Sequence, residues 1–193
     1  RVNYLRKYLE KVYEDDRKQY IYAIILFTLF VENVSLFSQF YIVMHFNRNK
    51  AVLKDCAQQV QYTRNEEQLH AQVGIKIINT IREEYPELFD AELEARIQEE
   101  IAASIESESK VIDWIMDDYA VDGLDADILK EFIKNRMKES MEQIGFDHSA
   151  IEVDESLLDK TYWFDEELLG ATMTDFFQKR PVEYSKGDGI DPN

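Results

Sequence analysis

The amino-acid sequence predicts an all-α protein, a bundle of long helices, and two observations carry that expectation. Only six Gly and three Pro occur in 193 residues, so few positions can turn the chain tightly. Apolar residues also recur at helical spacing through four long stretches, the pattern of helices that each bury one face.

The first stretch, Tyr20 to Phe46, is the most apolar part of the chain. By length it reaches the roughly 20 residues of a membrane span. Glu32, Asn33 and Gln39 interrupt it, and a charge at mid-span is expensive, so a core helix of a soluble bundle is expected. The second stretch, residues 51 to 82, has no Pro and sets Val52, Cys56, Val60, Val73, Ile77 and Ile81 at helical spacings. It should end before Glu84-Tyr85-Pro86, and Gly74 is its one weak point. From Ala91 to Tyr119 the ladder Leu93, Ile97, Ile101, Ile105 continues through Ile112 and Ile115, with acidic residues assigned to the other faces. Val121-Asp122-Gly123-Leu124 reads as a turn. Asp125 is placed to cap a fourth helix carrying Leu129, Phe132, Ile133, Met137, Met141 and Ile144, which Gly145 should stop. After Phe146 the periodicity fades. Residues 1–146 are therefore expected to form the helical bundle segment, and residues 147–193 short helices and irregular chain around Tyr162-Trp163-Phe164 and Phe176-Phe177.

The composition, 45% hydrophobic and 32% charged, is that of a chain able to bury a core. A formal charge of -17 opposes nucleic acid and anionic membrane, because phosphate binding rests on Lys and Arg. Acidic excess suits metal cations or a basic partner, although most of these carboxylates are expected simply to be solvated. Cys56 stands alone and no secretory signal opens the chain, so a cytoplasmic setting is expected. Arg1 in place of an initiator Met suggests that the sequence begins in the middle of something.

No Gly-rich phosphate loop, Gly-x-Ser-x-Gly elbow or Cys-x-x-Cys pair is present, which leaves carboxylate and histidine as the carriers of chemistry. In Asn65-Glu66-Glu67-Gln68-Leu69-His70, Glu67 and His70 lie three apart and project to one side of a helix. His70 shares its stripe with Val73 and Ile77, so the pair is expected to face the core. An inward carboxylate needs a metal or a cationic partner. Glu32 raises the same question on the preceding helix, on a face with Ile25, Leu29, Leu36 and Phe40. One Glu and one Glu-x-x-His are half of the di-iron or di-manganese site of a ferritin-like bundle, which takes a Glu from each of two helices and a Glu-x-x-His from each of the other two. A lone Glu-x-x-His is also what a surface ion pair or a satisfied core histidine looks like.

Several stretches together resemble the radical-generating small subunit of class I ribonucleotide reductase, in its C-terminal half. They are Val31-Glu32 before an aromatic-rich helix, Arg64-Asn65-Glu66-Glu67-Gln68-Leu69-His70, and Glu108 through Trp114-Ile-Met-Asp-Asp-Tyr119. Gly123-Leu124, Asn135-Arg136-Met137, Ile144-Gly145-Phe146 and Asp175-Phe176-Phe177-Gln178-Lys179-Arg180-Pro181-Val182-Glu183-Tyr184 follow in the family's order. The resemblance implies that Glu32, Glu67 and His70 are ligands to two Fe or Mn ions. It implies that Leu36 and Phe40 line the apolar pocket shielding a radical. Glu66 stands where the family has an Asp that hydrogen-bonds a ligand histidine and relays the radical. Arg64-Asn65-Glu66 also fits the family's Arg-Asp-Glu directly, which puts the ligand Glu four residues before His70. Glu67 is preferred, and both registers keep ligand and histidine on one helical side.

The family's first carboxylate, its first Glu-x-x-His and its radical tyrosine have no counterpart here. The expected partners are therefore an N-terminal half of the small subunit, a second small subunit, and the large catalytic subunit that reduces ribonucleotides to deoxyribonucleotides. Two alternatives stand beside this reading: a homodimeric ferritin-like di-metal oxidase or metal store, and a helical interaction protein without catalysis.

Overall fold

A computed structural model describes residues 17–117 and 121–171 of the chain. Helix α1 (Arg17–Ile25) runs directly into a π-helical segment (Leu26–Ser35), which gives way at Leu36 to α2 (Phe37–Lys50). The chain then reverses over residues 51–53, where Ala51 and Leu53 take left-handed φ values of 54° and 58°. The long helix α3 (Lys54–Glu84) returns antiparallel, a 3₁₀ turn (Pro86–Leu88) follows, and α4 (Ala91–Met116) and α5 (Ala126–Gln143) complete the bundle. The short α6 (Glu155–Leu158), a 3₁₀ turn (Asp159–Thr161) and α7 (Tyr162–Ala171) come last. The Asp175–Tyr184 motif, Phe176-Phe177 and Tyr119 lie outside the described residues.

The helix ends follow from local chemistry. Asp90 accepts from the Leu93 amide at 3.1 Å and Asp125 from the Asp127 amide at 2.7 Å, each satisfying an amide that the first turn leaves unpaired. Helix α5 stops at Gly145, whose φ of 66° admits the left-handed cap. The Phe146 amide reaches the Met141 carbonyl and the Gly145 amide that of Glu142, the two bonds of a Schellman closure. Leu124 N–H donates to Val121 O at 3.0 Å and closes the expected turn.

One core runs through the described bundle. It takes Ile25, Leu29, Phe30 and Val34 from α1 and the π segment, Leu93, Ile97 and Ile112 from α4, and Leu129, Phe132, Ile133, Met137 and Met141 from α5. More than half of the most apolar window of Arg17–Lys50 is buried inside the protein, although length and composition alone would let that run cross a membrane. Phe146, Ile151 and Phe164 join the same core, so the chain after α5 packs on the bundle.

Two sequence expectations change. The acidic residues of α4 are not all solvated: Glu100 and Glu108 are buried, and Glu100 accepts from the Tyr22 hydroxyl at 2.9 Å. Helix α3 turns a different face inward from the one expected. Its buried residues are Ala57, Arg64, Ala71, Gly74 and Ile78, whereas Leu69, Val73 and Ile77 are 59%, 52% and 44% exposed. Small residues win the inner face because they let α3 approach its neighbours closely, and the large apolar side chains, one position away, are rotated outward by 100° per residue. A Cβ on Gly74 would lie less than 3.0 Å from the Thr28 side chain, so this glycine sets the separation between α3 and the π segment.

Candidate metal centre

Glu32 comes from the π segment, Glu67 and His70 from α3, and the antiparallel packing of these two elements brings them together. One ligand atom from each lies within 4.8 Å of the others. His70 Nδ1 is 3.3 Å from Glu32 Oε2 and 3.4 Å from Glu67 Oε2. Among the described residues no other group of three such donors is as close.

The electrostatics are those of two carboxylates forced to share a site. Burial, and then the hydrogen bond and charge of Glu67, push the Glu32 carboxyl up to about 7, against the opposing pull of His70. The Glu67 hydrogen bond, with help from Glu32, raises the imidazole of His70. One proton on Nδ1, facing both carboxylates, is the smallest cation that relieves the repulsion. A divalent metal fits the same gap, since neighbouring donors around a cation bound at about 2.1 Å lie roughly 3 Å apart. Two carboxylates and an imidazole also suit iron or manganese.

The cluster sits at the rim of the described bundle. Glu32 and Glu67 side chains are 17% and 18% exposed and that of His70 is 58% exposed, which corrects the expectation that His70 faces the core. The π winding explains part of the difference. Its i→i+5 ladder puts Glu32 out of phase with the 3.6-residue stripe of Ile25 and Leu29, which are fully buried, so a carboxylate can leave a strongly apolar helix at its edge. No feature of apolar spacing announces a π segment, although such segments are frequent at functional sites.

The other expected residues are placed as follows. Glu66 is exposed and stands outside the cluster. Leu36 is half-buried against the core, and Phe40 is buried with its ring 5.4 Å from that of Phe37. Arg64 lies fully buried, where its Nη1 donates to Phe164 O at 2.9 Å and ties α3 to α7. His45 is a core histidine with Nε2 3.1 Å from Asp122 O, and His148 lies 3.3 Å from Phe146 O. Neither adds a donor to the cluster.

Two residues next to the site escaped the sequence reading of its chemistry. Asn33 adjoins Glu32, and Arg136 of α5 grips it through both side chain and backbone. Their signal was weak: a buried amide in the most apolar stretch, and a cation on the inward side of an apolar helix.

Comparison with known proteins agrees with the resemblance. A family model described as "Ribonucleotide reductase, small chain" matches residues 1–149. The ribonucleoside-diphosphate reductase subunit beta of Aquifex aeolicus (strain VF5) is 35% identical over 122 residues, 63% of this chain and 17% of that protein. The subunit of the same name from Chlamydia pneumoniae is 27% identical over 178 residues, 89% of this chain and 48% of that protein. The chain thus spans less than half the length of either relative. With a family match over most of its length and the all-α ferritin-like architecture that the family shares, the chain belongs to the small-chain family of ribonucleotide reductase.

Proposed function

We propose that this chain is the C-terminal part of a ribonucleoside-diphosphate reductase small subunit, and that Glu32, Glu67 and His70 are its ligands to a pair of iron or manganese ions. The observation that carries this reading is the meeting of those three donors within 4.8 Å across two helices. Bound there, the ions supply the one-electron oxidising chemistry that the large subunit needs to reduce ribonucleotides. The chain's own part is to bind, orient and shield. Glu32, whose carboxyl is pushed up to about 7 without a cation, binds one only as the carboxylate, as ligand carboxylates must. His70 presents Nδ1 to the same point. Phe37, Phe40 and Leu36, one to two turns beyond Glu32, keep water from the inner side.

An N-terminal half of the subunit covers the outer side in this reading and brings the remaining Glu and Glu-x-x-His. Leu69, Val73 and Ile77 on α3 and Phe27 on the π segment, 56% exposed, form the apolar surface it covers. Large apolar side chains grouped around ligands are what a bundle interior looks like when half of the bundle is removed. Assembly with a second small subunit and with the large subunit, and a cytoplasmic location, follow from the same reading.

The test is metal stoichiometry. The chain alone, with three ligands, should bind Mn²⁺ weakly, and addition of the N-terminal half should produce a two-metal site that Glu67→Ala or His70→Ala abolishes. Tight binding of two ions by the monomeric chain would refute the divided site. Two ions bound per homodimer would instead favour a symmetric di-metal oxidase or store. A native complex without metal would favour an interaction protein.

A further inference from the structure

The Asn33 end of the π segment is held from outside its own helix, by a charged group in the core. Arg136 Nε donates to the Asn33 carbonyl at 2.8 Å, and Arg136 Nη2 donates to Asn33 Oδ1, also at 2.8 Å. The Asn33 Nδ2 donates in turn to Ser140 Oγ at 2.5 Å, and that hydroxyl donates to the Arg136 carbonyl at 2.7 Å. The guanidinium lies 3.6 Å from the Phe37 ring centroid, with Asp165 Oδ1 3.6 Å from Nη1. The two residues that Arg136 holds on this side, Asn33 and Phe37, flank the junction at Leu36, where the π ladder hands over to α2.

Resting on the assignment of Glu32 as a metal ligand, we propose that Arg136 is a positioning residue for that ligand: its two-point grip on Asn33 fixes the π register that aims Glu32 at Glu67 and His70. The geometry makes the register the quantity at stake. Return of Leu26–Ser35 to α-helical winding would advance the ladder by one residue, and one residue is 100° of rotation about the axis. Glu32 would swing off the side that faces α3, and both acceptors of Asn33 would leave Arg136. A grip on the carbonyl alone would tolerate many side-chain identities. The paired grip on carbonyl and amide oxygen is met only when Asn33 is in its present orientation, and Glu32 is its covalent neighbour. Stability alone is a poor account of the arrangement, because well-packed apolar residues in place of a buried charge are often neutral or stabilising. Burial does press on this guanidinium, lowering its pKa to about 10.

The test uses the protein in its native assembly with Mn²⁺ as the probe, comparing Arg136→Met, Arg136→Lys, Asn33→Ala and the ligand control Glu67→Ala. Affinity, the electron paramagnetic resonance line shape of bound Mn²⁺ and amide exchange across residues 26–37 are read for each. Arg136→Met should weaken Mn²⁺ at least tenfold, change the line shape and speed exchange in the π segment. Arg136→Lys, which restores one donor, should recover part of the affinity, and Asn33→Ala, which keeps the carbonyl contact, should cost about threefold. A folded Arg136→Met protein with wild-type affinity and line shape overturns the proposal. If Arg136→Met does not fold, wild-type affinity and line shape in Asn33→Ala overturn it instead. Should Glu67→Ala bind Mn²⁺ as wild type does, the ligand assignment has failed on its own account; unchanged exchange in the π segment of the Arg136 variants would then show separately that the grip does not hold the register.

Discussion

Substitution of Gly74 by Ala separates two opposite expectations. In an exposed helix interior the change should stabilise by about 1 kcal/mol, since Gly is among the poorest helix formers. Here the new Cβ meets the Thr28 side chain at less than 3.0 Å, and Thr28 Cβ itself at 2.8 Å. The hydroxyl and methyl of Thr28 can rotate, but its Cβ is fixed to the backbone, and Thr28 is only 6% exposed. Relief therefore requires α3 and the π segment to separate by several tenths of an ångström. Overpacking of this kind costs typically about 1–3 kcal/mol, which cancels the propensity gain and leaves a net loss of up to about 2 kcal/mol. For a chain of this size, at roughly 2–4 °C per kcal/mol, that is a fall in Tm of up to about 8 °C.

The strain falls one turn from the candidate ligands on both elements, at Gly74 after His70 and at Thr28 before Glu32, so Mn²⁺ affinity should fall with stability. Thr28→Ala removes the two nearest atoms, and Gly74→Ala should cost at least about 1 kcal/mol less in that background. Thermal unfolding of the four proteins of this cycle, with Mn²⁺ titration of each, measures both effects. A stabilised Gly74→Ala protein, or a cost independent of Thr28, would show that the close approach does not set the helix spacing.

Other perturbations test separate parts of the structure. Val73→Glu or Ile77→Glu, on the exposed face of α3, should change the stability of the chain alone by no more than about 0.5 kcal/mol, yet prevent association with the N-terminal half; measured co-purification that survives both changes would remove that face as the interface. Acid should act through the start of α4. The Lys18 ammonium at 2.5 Å, and then the Leu93 amide, hold the Asp90 carboxyl below its ordinary 3.8, so its contribution is present above that value and is lost as pH falls through the lower folded one. The Tm difference between wild type and Asp90→Ala should stay constant from neutral pH to about 5 and shrink below about 4; a difference that grew on acidification would contradict the sign.

Much of this protein was determined by local sequence. Sparse Gly and Pro, the ladders Leu93-Ile97-Ile101 and Leu129-Phe132-Ile133-Met137-Met141, and caps at Asp125 and Gly145 specify helices and their ends, because periodicity and capping act within a few residues of chain. The pairing of Glu67 with His70 was legible for the same reason, being a matter of three residues on one helix.

Tertiary structure decided the rest. Which stripe of α3 turns inward depended on how closely Ala71 and Gly74 allow the π segment to approach, and that left Leu69, Val73 and Ile77 outside. The π winding moved Glu32 off the buried stripe, and Arg136, more than a hundred residues away in sequence, holds its neighbour Asn33. Local spacing prescribes which residues share a helix face, but the rotation and separation of two packed helices are set by atoms from both. The meeting of Glu32 with Glu67 and His70 is a property of that contact and of neither helix by itself.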